Sequence, residues 1–405
     1  GYITPAADRL AREGMRFSAG YATAPVCSPS RYSIQYGQSP ARHGITYVSC
    51  KAKFDHVAPD TLAELVKKAD PRYATAHFGK WHIDAMPSAL GFDESDGRTK
   101  NSEGGFGSRN EHGVVKVERD PKLTVSLMHR ANDFMARQVS ASRPFFLQVS
   151  HYANHTWITA DPADLRKYEA VPESERLRHP VYSAMTEALD RSIGGVLAKL
   201  DELGIADRTY VIFTADNGAI PSFPPVPNPK RNLNGPLSDG KWSVLEGGVR
   251  VPLIVRGPGI PPGTQCDAPV SGVDFLPTVA ELAGLGELET SQPLDGRSFV
   301  SLLHAGNAAA DFAAFDKRAL VWHYPKMGKW EMTRPGSAIR RDGWKLVHSW
   351  KDGSTRLYHV RKDIGESEDL SAVEPERAAA LKKELFGYLR NVGCKIPQQR
   401  EKQKK

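Results

Sequence analysis

Short apolar runs of strand length alternate with longer segments of helical spacing through much of this chain. The strand-like runs are residues 73–78, 144–149, 210–214 and 251–255, and the helical segments are 61–69, 123–139, 182–203 and 275–283. This alternation is typical of α/β proteins in which helices cover both faces of a mostly parallel sheet. We therefore expect a mostly parallel central sheet flanked by helices over residues 1–318.

The pattern changes near residue 319. Four short strand-like runs follow one another at 320–323, 337–340, 344–348 and 356–359, and a helical segment occupies 375–391. They predict a small antiparallel C-terminal subdomain with one helix and a basic tail over residues 319–405. Three segments rich in Pro, Gly and Asn, at 93–113, 220–240 and 323–336, predict long surface loops. Loops of this length in a compact domain are usually functional.

Composition excludes several classes of protein. The chain has 405 residues and a formal net charge of +7, but its basic residues are scattered and not clustered on one face as nucleic-acid binding requires. It lacks the run of about 18 apolar residues that would predict a membrane span. The four cysteines show no C-x-x-C spacing, so the sequence indicates neither a zinc site nor a disulfide framework.

Polar side chains follow three of the predicted strands. Lys80, Trp81 and His82 follow the first strand, His151, Asn154 and His155 the second, and Asp216 and Asn217 the third. Ligands of open α/β sheets bind beyond the carboxyl ends of the strands, so we expect these side chains to converge. The two oxygen donors suit Ca²⁺ or Mg²⁺, and the lysine and histidines suit a tetrahedral anion and proton transfer. We interpret Trp81 as packing and His151 as a wall residue.

The segment around Cys27 adds a candidate nucleophile. Ser28 is a good N-cap and Pro29 a good first helical residue, so Cys27 is predicted at a helix N-terminus, where backbone amides favour an anion. Arg31 would point back at that anion. These residues alone leave two further interpretations of Cys27 open. It could be a small buried hydrophobic side chain, or a plain thiolate nucleophile whose pKa is lowered.

The order of these motifs resembles a known family. The run Cys27-Ser28-Pro29-Ser30-Arg31 resembles the C-x-P-S-R signature of the type I, formylglycine-dependent sulfatases of the alkaline phosphatase superfamily. Residues 79–82, residues 214–218, and Lys241 followed by 246–252 are similar to further family motifs in the same order. Residues 343–346 and 357–358 resemble the family's C-terminal subdomain. The resemblance covers roughly residues 4–389 and implies the alkaline-phosphatase-like fold.

The resemblance implies a covalent mechanism. A separate maturation enzyme would oxidise Cys27 to formylglycine; one hydroxyl of its hydrate would attack sulfur and release the alcohol, and the second would lose its proton and expel sulfate. Arg31 and Lys80 would hold the hydrate and the charge beside the metal. His82 would assist sulfate release, while His155 would protonate the leaving oxygen. The implied role of Lys241 is to neutralise the sulfate.

The resemblance also implies a metal, Ca²⁺ or alternatively Mg²⁺, bound by Asp216, Asn217 and the modified Cys27. Family members hold it with two more adjacent aspartates at the end of a first strand, and no such pair precedes the signature here. Ca²⁺ takes about six or more oxygen ligands. We expect either that the given sequence is part of a longer gene product whose first strand lies outside it, or that this chain is a metal-poor relative.

The leading hypothesis is therefore hydrolysis of a sulfate ester on a carbohydrate. Cations and aromatic side chains of the long loops would bind the sulfated saccharide, and the candidates are Arg98, Lys100, Arg109, His112, His323, Lys326, Lys329, Trp330 and Arg340. The alternatives are a phosphodiester or phosphonate ester hydrolase with the same nucleophile and a non-catalytic protein that binds sulfated glycans. Expected partners are the saccharide and the maturation enzyme, without nucleic acid or membrane. The family suggests a periplasmic or extracellular location.

Overall fold

The computed structural model describes residues 2–48, 60–104, 120–176, 178–222, 232–286, 288–305, 309–326 and 333–397. The strands are β1 (Met15–Phe17), β2 (Gly20–Tyr21), β3 (Ala74–Gly79), β4 (Glu94–Ser95), β5 (Phe145–Ser150), β6 (Val211–Thr214), β7 (Leu253–Arg256), β8 (Thr264–Cys266), β9 (Val270–Ser271), β10 (Leu320–Tyr324), β11 (Gly336–Arg341), β12 (Trp344–Ser349) and β13 (Thr355–Tyr358). The α-helices are α1 (Pro5–Glu13), α2 (Cys27–Tyr36), α3 (Pro40–His43), α4 (Leu62–Ala69), α5 (Thr124–Ser140), α6 (Pro162–Glu169), α7 (Pro180–Glu202), α8 (Glu246–Val249), α9 (Phe275–Leu282), α10 (Val300–Ala305), α11 (Ala309–Asp316) and α12 (Pro375–Asn391).

Two sheets form the centre of the α/β part. The first has the order β4-β3-β5, and all three strands are parallel. The second has the order β6-β7-β1-β8, in which β7 runs antiparallel to both neighbours and β1 runs parallel to β8. The α/β class is confirmed. The prediction of a mostly parallel sheet holds for the first sheet, and the second is mixed.

Helices cover both faces of these sheets because successive strand residues are apolar and point to opposite faces. Phe145 and Leu147 of β5 pack on one face, in a cluster with Leu10, Met135 and Leu197 of α1, α5 and α7. Phe146, between them, points to the opposite face and packs with α4 and α9. Successive strand side chains point to opposite faces, so an apolar run such as 145–149 is what a sheet covered on both sides requires.

A cavity of about 1290 Å³ separates the two sheets. It is lined by the whole of β5 and β6, each of which pairs with a strand only on its other side among the described residues. Residues of β5 and β6 are accordingly half-buried, whereas every residue of β3 is buried. An unpaired strand edge offers free N–H and C=O groups for another strand. The expectation of a first strand outside the given sequence stays a prediction.

The C-terminal strands form an antiparallel sheet in the order β10-β11-β12-β13, as predicted. Helix α12 has the predicted bounds and packs Leu381, Leu385 and Leu389 against Leu346 and Leu357 of the sheet. The domain boundary near residue 319 stays a prediction. Within the described parts of the chain, no helix combines the length and the apolar character needed to cross a membrane.

The close approach of β3 to β5 yields a stability prediction. Gly79 ends β3 with a φ of +94°, and a Cβ at this position would collide with the carbonyl oxygen of Ser150. Gly44 has a similar φ of +77° but open space around it. We expect Gly44→Ala to cost about 1 to 2 kcal/mol for the left-handed conformation. Gly79→Ala should cost a further 1 to 3 kcal/mol, roughly, for the collision.

Equilibrium urea unfolding of both variants measures the difference. Equal losses in the two variants would show that the β3–β5 contact is looser than the structure has it.

Candidate active site

The nucleophile candidate lies at a helix N-terminus, as predicted, but the helix begins two residues earlier than predicted. Helix α2 starts at Cys27 itself, with Val26 in extended conformation as the N-cap. The prediction of Ser28 as N-cap is wrong. Ser30, two residues further on, bonds to the turn before the helix: its hydroxyl accepts from the backbone N–H of Ala24 and donates to the carbonyl of Ala24, both at 3.1 Å.

Cys27 is buried among cations. Its Sγ lies 3.3 Å from Nδ1 of His82, and only 2% of the residue is exposed. Burial by itself raises the pKa of a thiol, but the charge of Lys80, the hydrogen bond with His82 and the charge of Lys241 together lower the pKa of Cys27 to about 5. The unmodified side chain is therefore a thiolate at neutral pH. The interpretation of Cys27 as an inert small hydrophobic side chain does not fit this environment.

Arg31 connects the elements that converge on Cys27. Its Nε donates a hydrogen bond of 2.7 Å to Oδ2 of Asp216, and its Nη1 donates to the backbone carbonyl of Lys80. Asp216 follows β6 and Lys80 follows β3, so this one side chain joins the ends of strands from both sheets. Burial would raise the pKa of Asp216, but Arg31, Lys80 and Lys241 hold it well below its usual range. The carboxylate is ionised.

The segment after β3 places Lys80 and His82 beside Cys27. Lys80 is 2% exposed, and burial lowers its pKa although the neighbouring Cys27 and Asp216 oppose that effect. Thr99 holds the segment in place. Its hydroxyl donates to the carbonyl of Gly79 at 2.5 Å and accepts from the backbone N–H of Trp81 at 2.8 Å, while its carbonyl accepts from the N–H of His82 at 2.9 Å.

His155 and Lys241 complete the cluster. Burial lowers the pKa of His155, and the charges of Lys241 and Lys80 lower it further, so the imidazole is neutral in the free protein. Its Nδ1 contacts the backbone carbonyl of Thr156, which leaves Nε2 as the atom available to a ligand. Lys241 is 7% exposed, and its backbone N–H donates to the carbonyl of Ala219 at 2.8 Å. The structure thus brings together the predicted catalytic side chains.

Two oxygen donors at this site suit a hard cation. Asn217 donates through Nδ2 to the carbonyl of Gly218, which leaves its buried Oδ1 without a hydrogen-bond partner, and Asp216 has one oxygen not taken by Arg31. Ca²⁺ prefers such oxygens but takes about six to eight of them. Within the described ranges, no group of three or more His, Cys, Asp or Glu side chains is arranged for a metal. These residues supply only part of a calcium shell.

The structure places two of the predicted saccharide-binding residues in the C-terminal sheet. His323 is buried in β10, 2.6 Å from the hydroxyl of Ser337, and Arg340 is buried in β11, 2.7 Å from Oδ1 of Asp316. Both side chains are buried and paired with protein groups, His323 with Ser337 of β11 and Arg340 with Asp316 at the end of α11. Their contact with substrate stays a prediction.

Arg98 and Lys100, which flank Thr99, are exposed. Arg98 donates to the carbonyl of Asp84 at 3.2 Å, and Lys326 lies 3.8 Å over the ring of Tyr47. The remaining candidates, Arg109, His112, Lys329 and Trp330, lie outside the described residues.

Comparison with known proteins identifies the family. The family model Sulfatase matches residues 2–285, and the model for the C-terminal part of N-sulphoglucosamine sulphohydrolase matches residues 239–392. The chain belongs to the sulfatase family. It is 30% identical to N-acetylgalactosamine-6-sulfatase of Sus scrofa, over 94% of this chain and 79% of that protein.

Solved structures share the fold. The structure of Ps i-CgsB in complex with k-i-k-neocarrahexaose has a TM-score of 0.78 and 26% identity and covers 96% of this chain and 87% of its own. Phosphonate monoester hydrolase of Agrobacterium radiobacter has a TM-score of 0.69 at 19% identity, covering 96% and 91%, which shows a common fold alone. This protein is a sulfatase, an enzyme of sulfate ester hydrolysis, and the predicted alkaline-phosphatase-like fold is confirmed.

Two residues of the sulfatase site were missed by the sequence analysis. Thr99 lies between the candidates Arg98 and Lys100. Nothing in the sequence of a loop threonine indicates that it holds the neighbouring segment with Lys80 and His82 in place. Lys122 is 1% exposed, and burial together with the charge of Lys80 lowers its pKa to about 8. Its only signal was a lysine within the start of a helical segment, where an exposed position is the usual outcome.

The charge around Cys27 gives a measurable pH dependence. In sulfatase that carries unmodified Cys27, the thiolate should form as the pH rises through about 5. Lys80→Met removes the cation that favours the thiolate, so the midpoint should rise by about 1 to 3 pH units. Far-ultraviolet thiolate absorbance, taken as the difference from a Cys27→Ser variant, follows this titration.

Lys100→Met serves as the control because Lys100 is exposed. It should leave the midpoint in place. An unchanged midpoint in Lys80→Met would contradict the described electrostatics.

Proposed function

We propose that this sulfatase removes sulfate from a sulfated saccharide with a formylglycine formed from Cys27. The observation that carries the proposal is the buried contact of 3.3 Å between Cys27 Sγ and His82 Nδ1, at a helix N-terminus. Once hydrated, formylglycine supplies two oxygens on one carbon, of which one bonds to sulfur and the other later expels the sulfate. The oxygen that replaces Sγ would lie beside the imidazole of His82, which would hold or accept its proton.

The cations near Cys27 suit a sulfate group. Lys80 and Lys241 lower the pKa of the thiol, and the same positive charge would bind a sulfate ester and the sulfate product. Arg31 cannot turn freely to the substrate because Asp216 and the carbonyl of Lys80 occupy its guanidinium. We therefore assign Arg31 to orienting Asp216 and the Lys80 backbone, and Lys80 and Lys241 to the anion.

His155 is the side chain suited to the leaving oxygen. Its pKa is low in the free protein because it is buried beside two lysines. A sulfate ester bound among those lysines would offset their charge and raise the pKa of His155, since a nearby negative charge favours imidazolium. The substrate itself would thus help to protonate the imidazole, and Nε2 would donate that proton to the leaving alcohol oxygen.

A saccharide as the alcohol is supported by two comparisons and one feature of the site. N-acetylgalactosamine-6-sulfatase and the oligosaccharide complex of Ps i-CgsB are relatives above 25% identity. Arg98 and Lys100 are exposed next to Thr99, which contacts the segment carrying Lys80 and His82. The proposed role of Arg98 and Lys100 is to bind anionic groups of the saccharide beyond the reacting sulfate. The expected protein partner is a maturation enzyme that oxidises Cys27.

We also propose Ca²⁺ as the cation of this sulfatase, with Asp216 and Asn217 as two of its ligands. When bound, the ion would polarise a sulfate oxygen. Support comes from family membership and from the free, buried Oδ1 of Asn217. The described residues provide too few oxygens to derive a step through the ion, so the proposed roles of Cys27, His82, His155 and the lysines do not depend on it.

The formylglycine proposal is tested on sulfatase co-produced with a formylglycine-generating enzyme. The peptide containing Cys27 should be about 18 Da lighter than its unmodified form. Cys27→Ser should abolish turnover of sulfated saccharides, because serine lacks the second oxygen on the same carbon. Mass spectrometry and sulfate release measure the two results.

Cys394→Ser is the matched control, since Cys394 is a half-buried thiol of the C-terminal region whose pKa burial raises to about 11. It should keep wild-type turnover. Unmodified Cys27 in fully active enzyme would refute the proposal.

Higher kcat/KM for phosphate or phosphonate esters than for the sulfate ester of the same alcohol would favour the phosphonate hydrolase alternative. Saccharide binding without turnover by the modified enzyme would favour the glycan-binding one.

The calcium proposal predicts that removal of the ion lowers turnover. After dialysis against a chelator, added Ca²⁺ should restore activity, and Asn217→Leu should raise the Ca²⁺ concentration needed for half-restoration by about tenfold or more. Asn132→Leu is a suitable control because Asn132 lies on α5, where it contacts the carbonyl of Gly195. Chelator-resistant activity, or equal Ca²⁺ requirements for wild type and Asn217→Leu, would contradict the proposal.

A further inference from the structure

A fully buried cluster of charges connects the C-terminal sheet to the active site. Lys345 of β12 lies with its Nζ 2.8 Å from Oε1 of Glu246 and 3.0 Å from Oε1 of Glu366, and all three side chains are 0% exposed. Glu246 also accepts a hydrogen bond of 2.9 Å from the hydroxyl of Tyr21 and pairs with Arg250 at 3.2 Å. Burial lowers the pKa of Lys345, but the two carboxylates outweigh it and keep the ammonium charged.

Glu366 holds both ends of one loop. Its Oε2 accepts a hydrogen bond of 2.7 Å from the backbone N–H of Glu246 and another from the hydroxyl of Ser238. The backbone N–H of Gly247 donates back to the carbonyl of Ser238 at 2.8 Å, which closes the loop. Lys241 lies within this loop. A carboxylate carried by the C-terminal region therefore fixes the start and the end of the segment that presents the sulfate-binding lysine.

The loop is in close backbone contact with the segment that carries Asp216 and Asn217. The backbone N–H of Gly218 donates to the carbonyl of Gly248 at 3.0 Å, and a Cβ on Gly218 would collide with the carbonyl of Gly247. The N–H of Trp242 donates to the carbonyl of Pro25, two residues before Cys27, at 3.0 Å. A shift of α8, which contains Glu246 to Val249, would therefore move Asn217, Lys241 and the turn before Cys27 together.

The free energy of folding alone does not explain why the protein buries such a cluster of charges. Buried ion pairs are often no more stabilising than apolar side chains of the same volume, because desolvation offsets their attraction. Their fixed geometry does specify a single arrangement of the attached segments. We propose that Lys345 is a positioning residue of the sulfatase, which acts through Glu366 and Glu246 to hold Lys241 at the reacting sulfate. This inference rests on the proposed role of Lys241.

The test is a double-mutant cycle between Lys345 and Lys241 in the full chain. Lys345→Met should lower kcat about 10- to 100-fold, as expected for a small displacement of a catalytic group. In the Lys241→Ala background the same substitution should lower kcat by a clearly smaller factor, since the group it mainly positions is gone. Equal effects in the two backgrounds, or a wild-type kcat in Lys345→Met, would overturn the proposal.

Two further variants keep the test decisive. Glu366→Gln preserves the shape of the side chain and leaves Lys345 paired with Glu246, so this variant should fold. It should lower kcat about three- to tenfold and show the same non-additivity with Lys241→Ala. If Lys345→Met does not fold, this variant decides. Arg318→Met is the matched control, because it breaks another buried ion pair, with Asp274, outside the loop. It should lower stability and leave kcat unchanged.

Amide hydrogen exchange separates this proposal from the proposed function. Lys345→Met and Glu366→Gln should speed exchange of the Glu246 N–H, which donates to Glu366, and Arg318→Met should not. If exchange rises but the wild-type enzyme hydrolyses no sulfate ester, the proposed function fails while the link to the loop stands. If exchange is unchanged in both variants, the link itself is refuted.

Discussion

The ion pair between Arg31 and Asp216 is the interaction on which the site depends. Among the described residues, no strand of one central sheet pairs with a strand of the other, and a cavity lies between β5 and β6. Arg31 spans this gap from α2, with one hydrogen bond to the end of β6 and one to the segment after β3. Because the guanidinium is planar and its donors are fixed, both sheet ends take a defined place relative to Cys27.

The second constraint is the excess of positive charge around the nucleophile. Arg31, Lys80 and Lys241 surround one ionised aspartate and one thiol, and burial removes the water that would screen them. Burial lowers the pKa of His155, and the charges of Lys80 and Lys241 lower the pKa values of Cys27, Asp216 and His155, so each group is in its deprotonated form before substrate binds. Such a site is completed by an anion. In the proposed mechanism, a sulfate ester would supply the opposing negative charge and thereby favour the protonation of His155.

The C-terminal sheet contributes to the site in a way its strand pattern does not reveal. Two buried cations of this sheet, Arg340 and Lys345, are direct cross-strand neighbours on β11 and β12. The sequence around them does not distinguish their roles. Arg340 pairs with Asp316 at the end of α11, whereas Lys345 pairs with Glu246, which lies at one end of the active-site loop. Sequence analysis selected Arg340 and passed over Lys345. The charge of a residue and its place in a loop do not indicate which carboxylate a buried lysine or arginine contacts, because the partners are about 25 to 100 residues apart along the chain.

The sequence alone determined the α/β class, the antiparallel C-terminal sheet, the bounds of α12 and the order of the site motifs. These features depend on local apolar periodicity and on which residues follow a strand, both of which can be read from neighbouring positions. Tertiary structure decided the rest, namely the mixed direction of the second sheet, the hydrogen bonds of Thr99 to the Lys80 segment, and the buried positions of Lys122, His323 and Arg340. Each depends on contacts between distant segments, whose energies come from burial and pairing that no local pattern records.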